Sequence, residues 1–402
     1  MTRLLVRDLA QVVTPAAAGP LRGEALRELR VLEEAYVLCD GGRIEQIGRM
    51  RHLGRLGDVE ELDGGGLIAL PGLVDCHTHP AFGGDRVEDF ALRAGGATYE
   101  ELHAAGGGIL STVRATRGLD ADGLRASVDQ HARWMLEHGT TTWEGKSGYG
   151  LDRDTELASL DAVRAAGGSP TWLGAHAVPP EYDGPDAYLD FALDQVLPGA
   201  ATKADAADVF LERGAFDADR SRRYLVACRA AGLALRLHAD QFTESGAIPL
   251  AVELGARSVD HLEATGPDGV ATLGAGEVAA VLLPASALFL DRPMPPGRAL
   301  VDAGAIVALA TDFNPGSAYT TSLPLVCTLA CTQLHLTPEE ALAAVTVNAA
   351  HVLGHTDRGR IAPGLRADLT LLDAPDWRYL AYRLAGDIVA AVVVEGAIAL
   401  RR

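Results

Sequence analysis

Four histidines and an aspartate stand at positions where their side chains could hold one metal ion. His77 and His79 are two residues apart at the end of an apolar run, and His238, His261 and Asp312 each follow a further apolar run. Residues i and i+2 of a β-strand project to the same face, so His77 and His79 could reach one metal. A single buried histidine is more often a core residue, and a histidine pair alone is a weak signal. The five residues together predict a metal site.

The elements that must bring these residues together are short apolar runs that alternate with helical stretches. This alternation is typical of a parallel sheet. Eight such runs predict a TIM-like (β/α)8 barrel of the α/β class, because an open sheet more often has about five or six strands. Active sites of this fold form at the C-terminal ends of the strands, where all five residues would lie. The candidate strands are 73–77, 140–143, 171–175, 208–211, 234–238, 258–261, 278–283 and 306–310.

The two chain ends predict a second, smaller domain. Asp-Gly-Gly at 40–42 lies between two strand-like runs and is typical of a β-hairpin. Residues 21–34 could be helix or loop. Because chain termini often lie close together, we expect residues 1–65 and 360–402 to form one small β-sandwich domain, with the barrel over 66–359. The strand-like runs of the two ends are 4–6, 35–39, 43–47, 369–372, 388–394 and 397–400.

Composition excludes several classes of partner. The 402 residues carry 35 Lys and Arg against 54 Asp and Glu, which gives a formal charge of −19. This balance argues against a nucleic-acid or anionic-membrane partner, since attraction to phosphate needs concentrated positive charge. The five cysteines form no CxxC pair, so neither a disulfide framework nor a zinc finger is expected. Early charged residues and the lack of a long apolar run favour a cytoplasmic protein without a signal peptide or membrane helix.

The nine residues PGLVDCHTH at 71–79 resemble the metal-binding start of the amidohydrolase superfamily. More narrowly, the chain resembles the imidazolonepropionase family, whose members act in histidine breakdown. The KSGYG and TDFNPGS segments are far more specific than the histidine pair. The motifs that carry the resemblance run in family order: AFGGDR at 81–86, GGGI at 106–109, STV at 111–113, KSGYGL at 146–151, LGAHAVP at 173–179, HADQ at 238–241, DHLE at 260–263 and TDFNPGS at 311–317.

The resemblance implies hydrolysis of the cyclic amide of 4-imidazolone-5-propanoate to N-formimino-L-glutamate. It implies one zinc or iron ion per subunit, held by His77, His79, His238 and Asp312, and mixed nitrogen and oxygen ligands suit either metal. The proton transfers would fall on His261 or Asp312. A small-molecule substrate and a homodimer follow from the same resemblance. The implied substrate contacts are Arg86, Tyr149, His176, Asn314, Gly316 and Ser317.

Gln241 departs from the pattern of related enzymes. Related deaminases have Glu three residues after the histidine of strand five, and some imidazolonepropionases do too. The amide of Gln241 cannot move a proton near neutral pH, but it can orient water or the substrate ring. This difference argues against a purine or pyrimidine deaminase, which is the nearest competing class of enzyme.

Lys146 bears on the number of metals. Two-metal relatives bridge their metals with a carboxylated lysine after strand four, whereas Lys146 follows strand two. We therefore expect no bridge and no hydantoinase-type site. A metal-free scaffold is the non-enzymatic alternative, and the complete set of four ligands argues against it.

Tyr99 stands in a segment with two interpretations. It could line the substrate pocket together with the residues above. Thr98 with Glu101 three residues later forms the pattern of a capping box, which favours a helix start at this position. The cap is the better supported interpretation.

Overall fold

The structure is a computed structural model that describes residues 3–96 and 107–402, so Tyr99 and the capping box at Thr98–Glu101 lie outside the described residues. The strands form two sheets, one in the middle of the chain and one from its two ends. In chain order the strands are β1 (Leu4–Pro15), β2 (Leu29–Asp40), β3 (Arg43–Arg49), β4 (Glu60–Asp63), β5 (Ile68–Pro71), β6 (Leu73–Asp75), β7 (Thr140–Lys146), β8 (Ser169–Ala175), β9 (Ala206–Leu211), β10 (Ala234–Ala239), β11 (Ser258–His261), β12 (Ala279–Leu282), β13 (Val307–Leu309), β14 (Leu369–Leu372), β15 (Val389–Val394) and β16 (Ala397–Arg401).

The middle sheet is the predicted barrel, in which the eight strands β6 to β13 pair in sequence order. All of these pairs are parallel. The eight predicted strands are confirmed, and the limits of β11 are the predicted ones. The ring closes through two backbone hydrogen bonds: Asp312 N–H donates to the carbonyl of His77 at 3.0 Å, and His79 N–H donates to the carbonyl of Phe313 at 2.8 Å. The first and last strands therefore meet at the residues expected to hold a metal.

Helices connect the strands and pack against the barrel, as the alternating pattern predicts. The helical stretch after β8 is interrupted by a π-helical segment at Ala192–Val196. A 3-10 turn lies near the start of the chain, at Gly23–Arg27. No helix of the described residues is both long and apolar enough to cross a membrane. The α-helices are α1 (Val87–Ala94), α2 (Ile109–Arg117), α3 (Ala121–Glu137), α4 (Arg153–Ala165), α5 (Pro185–Phe191), α6 (Leu197–Ala200), α7 (Ala218–Ala230), α8 (Ala247–Leu254), α9 (Pro267–Ala275), α10 (Pro284–Phe289), α11 (Gly297–Asp302), α12 (Leu323–Gln333), α13 (Pro338–Ala344), α14 (Val347–Val352) and α15 (Tyr379–Tyr382).

The second sheet joins the two chain ends, which confirms a separate β domain built from both. Its order is β16-β15-β14-β5-β1-β2-β3, with β4 also paired to β1. The contact between the ends is the antiparallel pair β5–β14, in which Ile68 stands opposite Leu372. The domain expected as a sandwich is thus one continuous mixed sheet of eight strands. The hairpin β2–β3 turns at Gly41 and Gly42, whose φ angles of 56° and 81° explain the glycines.

Two details of this sheet differ from the local sequence pattern. Residues 29–34, expected as helix or loop, belong to β2, because the long strand β1 offers them a partner and Val13 stands opposite Val31. The pairing of β5 shows that the end sheet continues past residue 65. The domain limits themselves stay predictions.

Candidate active site

Three donor atoms at the mouth of the barrel form a buried triangle. His77 Nε2 and His79 Nε2 are 3.3 Å apart, and each lies 3.4 Å from Asp312 Oδ1. Ligand atoms about 2.0–2.1 Å from a zinc ion in a tetrahedral site are about 3.3–3.4 Å from one another. The triangle therefore has the dimensions of one face of a tetrahedral metal site. All three side chains are at most 3 % exposed.

His238 and His261 face the same point from β10 and β11. The ring centroid of His238 lies 4.6 Å from that of His77, and that of His261 lies 5.6 Å from it. The three imidazoles can place one ring nitrogen each within 4.8 Å of the others. The structure thus brings together all five residues that the sequence marks for a metal site. It also leaves one imidazole beyond the expected set of four ligands.

Backbone strain accompanies these residues. The φ angles of His261, Leu262 and Asp312 are 87°, 74° and 54°, all in the left-handed region. Such angles in residues other than glycine cost about 1–3 kcal/mol each and cluster at functional sites. The chain therefore leaves β11 and β13 in conformations that the surrounding contacts must stabilise.

The protonation states of His79, His238 and Asp312 suit metal ligation. Burial lowers the pKa of His238 to about 4 and that of His79 well below its usual range. Although burial opposes it, hydrogen bonds from His77 and His79 hold the pKa of Asp312 well below its usual range. Metal ions bind neutral imidazole and ionised carboxylate, so these groups are ready to coordinate.

Two carboxylates stand behind the histidines. Asp260 Oδ2 lies 2.6 Å from His77 Nδ1, and Asp208 Oδ2 lies 3.1 Å from His238 Nδ1. A carboxylate in this position fixes the tautomer of a metal-binding imidazole and orients its ring. Sequence analysis singled out neither aspartate, although Asp260 is the first residue of the DHLE motif and Asp208 is the only acidic residue of β9.

A buried ionic cluster lies next to these carboxylates. Lys146 Nζ is 2.9 Å from Glu144 Oε1 and 2.8 Å from Asp208 Oδ2. Arg236 donates to Glu144, and its Nη2 lies 3.4 Å from Asp260 Oδ2. Lys146 and Arg236 are 0 % and 1 % exposed. Although burial and Arg236 oppose it, Asp208, Glu144 and Asp260 raise the pKa of Lys146, so its amine is an ammonium.

Arg86 reaches the mouth from the loop after β6. Its Nε donates to Asp89, and its side chain is 16 % exposed. Its Nη1 lies against Gly316, where a Cβ atom would stand 3.3 Å from that nitrogen. The guanidinium therefore lies beside the loop that follows Asp312, with one edge held by Asp89.

The loop after Asp312 is built around the side chain of Asn314. Its Oδ1 accepts from the N–H groups of Gly316 and Ser317, both at 2.8 Å. Its Nδ2 donates to the carbonyl of Asp312 at 2.6 Å and to Ser317 Oγ at 2.7 Å. Ser317 Oγ also lies 3.3 Å from Asp312 Oδ2. The loop expected to contact substrate thus also holds the Asp312 carboxylate in place.

Tyr149 and His176 form the side of the mouth next to His79. The ring of His176 stacks on that of His79 at 5.7 Å, and Tyr149 lies 5.3 Å from His176. The Nδ1 atom of His176 is 2.9 Å from the carbonyl oxygen of Gly148. Burial lowers the pKa of His176 to about 4, so Nδ1 carries the single proton and Nε2 is free to accept.

Glu156 holds the loop that carries Tyr149, and sequence analysis missed it. Its Oε1 accepts from the N–H groups of Gly148, Gly150 and Leu151 at 3.0, 2.9 and 3.0 Å. The residue is 1 % exposed and belongs to the first turn of α4. The loop expected to contact substrate is therefore tied to a helix rather than free.

Gln241 lies in the loop after β10 and is 7 % exposed. In the loop after β11, Glu263 Oε1 lies 3.4 Å from His261 Nδ1. A carboxylate behind an imidazole stabilises its protonated form. Glu263 is therefore a further residue of the site that sequence analysis did not single out, although the DHLE motif contains it.

Comparison with known proteins agrees with this geometry. The profile of the amidohydrolase family matches residues 68–399. A protein named imidazolonepropionase from Rubrobacter xylanophilus is 59 % identical over 406 residues, covering 98 % of each chain. Another of that name, from Chloroflexus aggregans, is 46 % identical over 98 % of this chain and 97 % of its own. The structure of E. coli guanine deaminase shares the fold, with 15 % identity, complete coverage of both chains and a TM-score of 0.75. The chain therefore belongs to the amidohydrolase family and, within it, to the imidazolonepropionases.

Proposed function

We propose that this protein hydrolyses the ring amide of 4-imidazolone-5-propanoate and releases N-formimino-L-glutamate, a step of histidine degradation. The observation that carries the proposal is the buried triangle of His77 Nε2, His79 Nε2 and Asp312 Oδ1. The relatives named imidazolonepropionase support the choice of substrate. The reaction consumes one water and breaks one ring C–N bond, so it requires water activation and a proton for the leaving nitrogen.

One zinc or iron ion per subunit would be held by His77, His79, His238 and Asp312. Nitrogen and oxygen ligands in this mixture suit either metal. When bound, the ion supplies Lewis acidity, which lowers the pKa of water and polarises a carbonyl group. The remaining imidazole, His261, stays available for proton transfer.

Substrate binding would depend on Arg86 and on the pair Tyr149 and His176. The Nη atoms of Arg86 offer hydrogen bonds to the propionate, since Nε is already engaged by Asp89. The free Nε2 of His176 can accept a hydrogen bond from a ring N–H, and the Tyr149 hydroxyl can donate to a ring or tail oxygen. Asn314, Gly316 and Ser317 would border the same space, next to Arg86.

Proton transfer would fall mainly on His261. The imidazole can take a proton from the attacking water and return it to the ring nitrogen as the C–N bond breaks. Glu263, 3.4 Å from His261 Nδ1, would stabilise the imidazole while it is protonated. Asp312 is the second candidate for this role. Gln241 would orient water or the substrate ring.

The test is a turnover assay on freshly prepared imidazolone propionate, with metal content measured on the same sample. We expect loss of imidazolone absorbance, formation of N-formimino-L-glutamate and one metal per chain. A His238→Ala variant is the matched control, since it should lose both metal and turnover. Metal-loaded, folded protein that leaves the substrate intact would refute the proposal, and ammonia release from purines instead would favour a deaminase. Size-exclusion chromatography tests the homodimer, which remains a prediction, as does the cytoplasmic location.

A further inference from the structure

Lysine is rare in this chain. Of 35 basic residues only Lys146 and Lys203 are lysines, and all the others are arginines. Lys203 lies at the surface, where it pairs with Asp161 at 2.7 Å and its side chain is 32 % exposed. Lys146 lies at the end of β7 with a side chain that is 0 % exposed. A buried ammonium at this position indicates a task that depends on its contacts.

The contacts of Lys146 explain what that task requires. Its Nζ lies 2.8 Å from Asp208 Oδ2, 2.9 Å from Glu144 Oε1 and 3.8 Å from Asp260 Oδ2. The three carboxylates come from β9, β7 and β11, so they surround the amine from different strands. A compact ammonium has three donors that rotate about one bond, whereas a guanidinium is a planar fork. Only the ammonium suits carboxylates arranged around a point.

Two of these carboxylates are the ones that stand behind the histidines. Asp260 contacts His77 Nδ1 at 2.6 Å, and Asp208 lies 3.1 Å from His238 Nδ1. One ammonium therefore lies between the two groups that orient two imidazoles of the metal site. Without it, both aspartates would keep their charge in a buried environment with less compensation, and buried charges require pairing.

We propose that Lys146 is a positioning residue, which orients His77 and His238 for metal binding by holding Asp260 and Asp208 at the same time. The inference rests on the metal site of the proposed function but concerns metal binding rather than turnover. The backbone N–H of Lys146 pairs with the carbonyl of Thr78 at 2.9 Å, so exchange of the side chain leaves this strand contact in place.

The first experiment compares Lys146→Met with Lys203→Met, the matched control at the only other lysine. Cobalt(II) binding is measured by competition with a chelator, and the absorption spectrum of bound cobalt reports the geometry of the ligands. We expect about 10–100-fold weaker cobalt binding and an altered spectrum for Lys146→Met, as for other groups behind metal ligands. Lys203→Met should match the wild type in both. A folded Lys146→Met protein with wild-type cobalt affinity and spectrum would overturn the proposal, as would wild-type protein that binds no cobalt.

The Lys146→Arg variant separates the shape of the side chain from its charge. We expect it to bind cobalt as weakly as Lys146→Met, and full restoration of cobalt binding would refute the need for an ammonium.

A second experiment tests the proposed role of Lys146 if the Lys146→Met variant does not fold. Asp208→Asn and Asp260→Asn keep the shape of each side chain, and each affects a different histidine. If Lys146 links the two aspartates, the loss of cobalt affinity in the double variant differs from the product of the single losses. Strictly multiplicative losses would overturn the link. Absence of turnover in cobalt-binding wild-type protein would refute the proposed function but not this inference.

Discussion

The contact between Arg86 and the propionate of the substrate can be tested by removing the charge from either partner. A hydrogen bond to a charged group contributes about 1.5–3 kcal/mol, and about 1.4 kcal/mol changes an equilibrium constant tenfold. Asp89 already occupies Nε, which leaves the Nη atoms for the substrate. With one or two such bonds at a partly exposed side chain, Arg86→Ala should raise KM by about 10–100-fold.

The assay is a cycle over two enzymes and two substrates. Wild type and Arg86→Ala are compared on the propionate substrate and on an analogue with a neutral propionamide tail. We expect the large increase in KM only for the propionate, with a smaller change in kcat, because the tail is remote from the reacting carbonyl. Arg93→Ala is the control, since Arg93 lies on α1, the helix that follows Arg86, 4.8 Å from the ring of Phe289, and carries the same charge.

Two results would refute this reasoning. Equal increases in KM for Arg86→Ala and Arg93→Ala would mean that the general electrostatic field of the protein matters rather than one contact. Equal losses on the propionate and on the propionamide would mean that Arg86 acts on structure. The formal charge of −19 makes the control necessary, although a Debye length of about 8 Å at physiological salt limits repulsion of the anionic substrate to the surface.

Three further outcomes follow from the site. His261→Ala should lose turnover with its metal retained, whereas Gln241→Ala should keep part of its activity. Both variants are assayed for kcat and for metal content. An active His261→Ala beside an inactive, metal-loaded Gln241→Ala would exclude His261 as the proton carrier. Gly148→Ala should lower the free energy of unfolding by more than about 1 kcal/mol, because a Cβ there stands 2.8 Å from the Leu173 carbonyl and φ is 105°. An unchanged urea midpoint would contradict this. Chelation of the metal should lower the Tm of the protein, because a ligand present at about 100 times its Kd stabilises the folded state by about 2.7 kcal/mol. Thermal unfolding measured with and without chelator checks this prediction.

The barrel and its candidate ligands were predictable because their signals are local. Each strand is a short apolar run between helical stretches, and the residues that matter follow such runs directly. Ser258–His261 illustrates this, since the predicted and observed strands have the same limits and the histidine is its last residue. Because the sites of this fold form at the strand ends, residues at such positions can be predicted to lie close together.

The supporting residues were not predictable, because their meaning depends on partners far away in the chain. Asp208 and Asp260 are each the single acidic residue of a short strand, a pattern equally typical of a surface position on an edge strand. Their roles become visible only when β9 and β11 place them behind histidines of other strands. Glu156 likewise looks like an ordinary acidic residue near a helix start, and only the fold places three backbone N–H groups around it. Residues 29–34 became a strand for the same reason, since only β1 supplies their partner.

The metal site and the closure of the barrel are one structural feature. His77 and His79 follow the first strand and Asp312 follows the last, and the two backbone hydrogen bonds that close the ring involve these same residues. A shift of register between β6 and β13 would therefore break the ring and separate Asp312 Oδ1 from the two imidazole nitrogens. Since strand register is set by the packing of the whole barrel, the triangle of 3.3 and 3.4 Å depends on the core as well as on the loop that holds Asp312. A metal bound there would in turn join the first, fifth and last strands, so metal binding and barrel closure should stabilise each other.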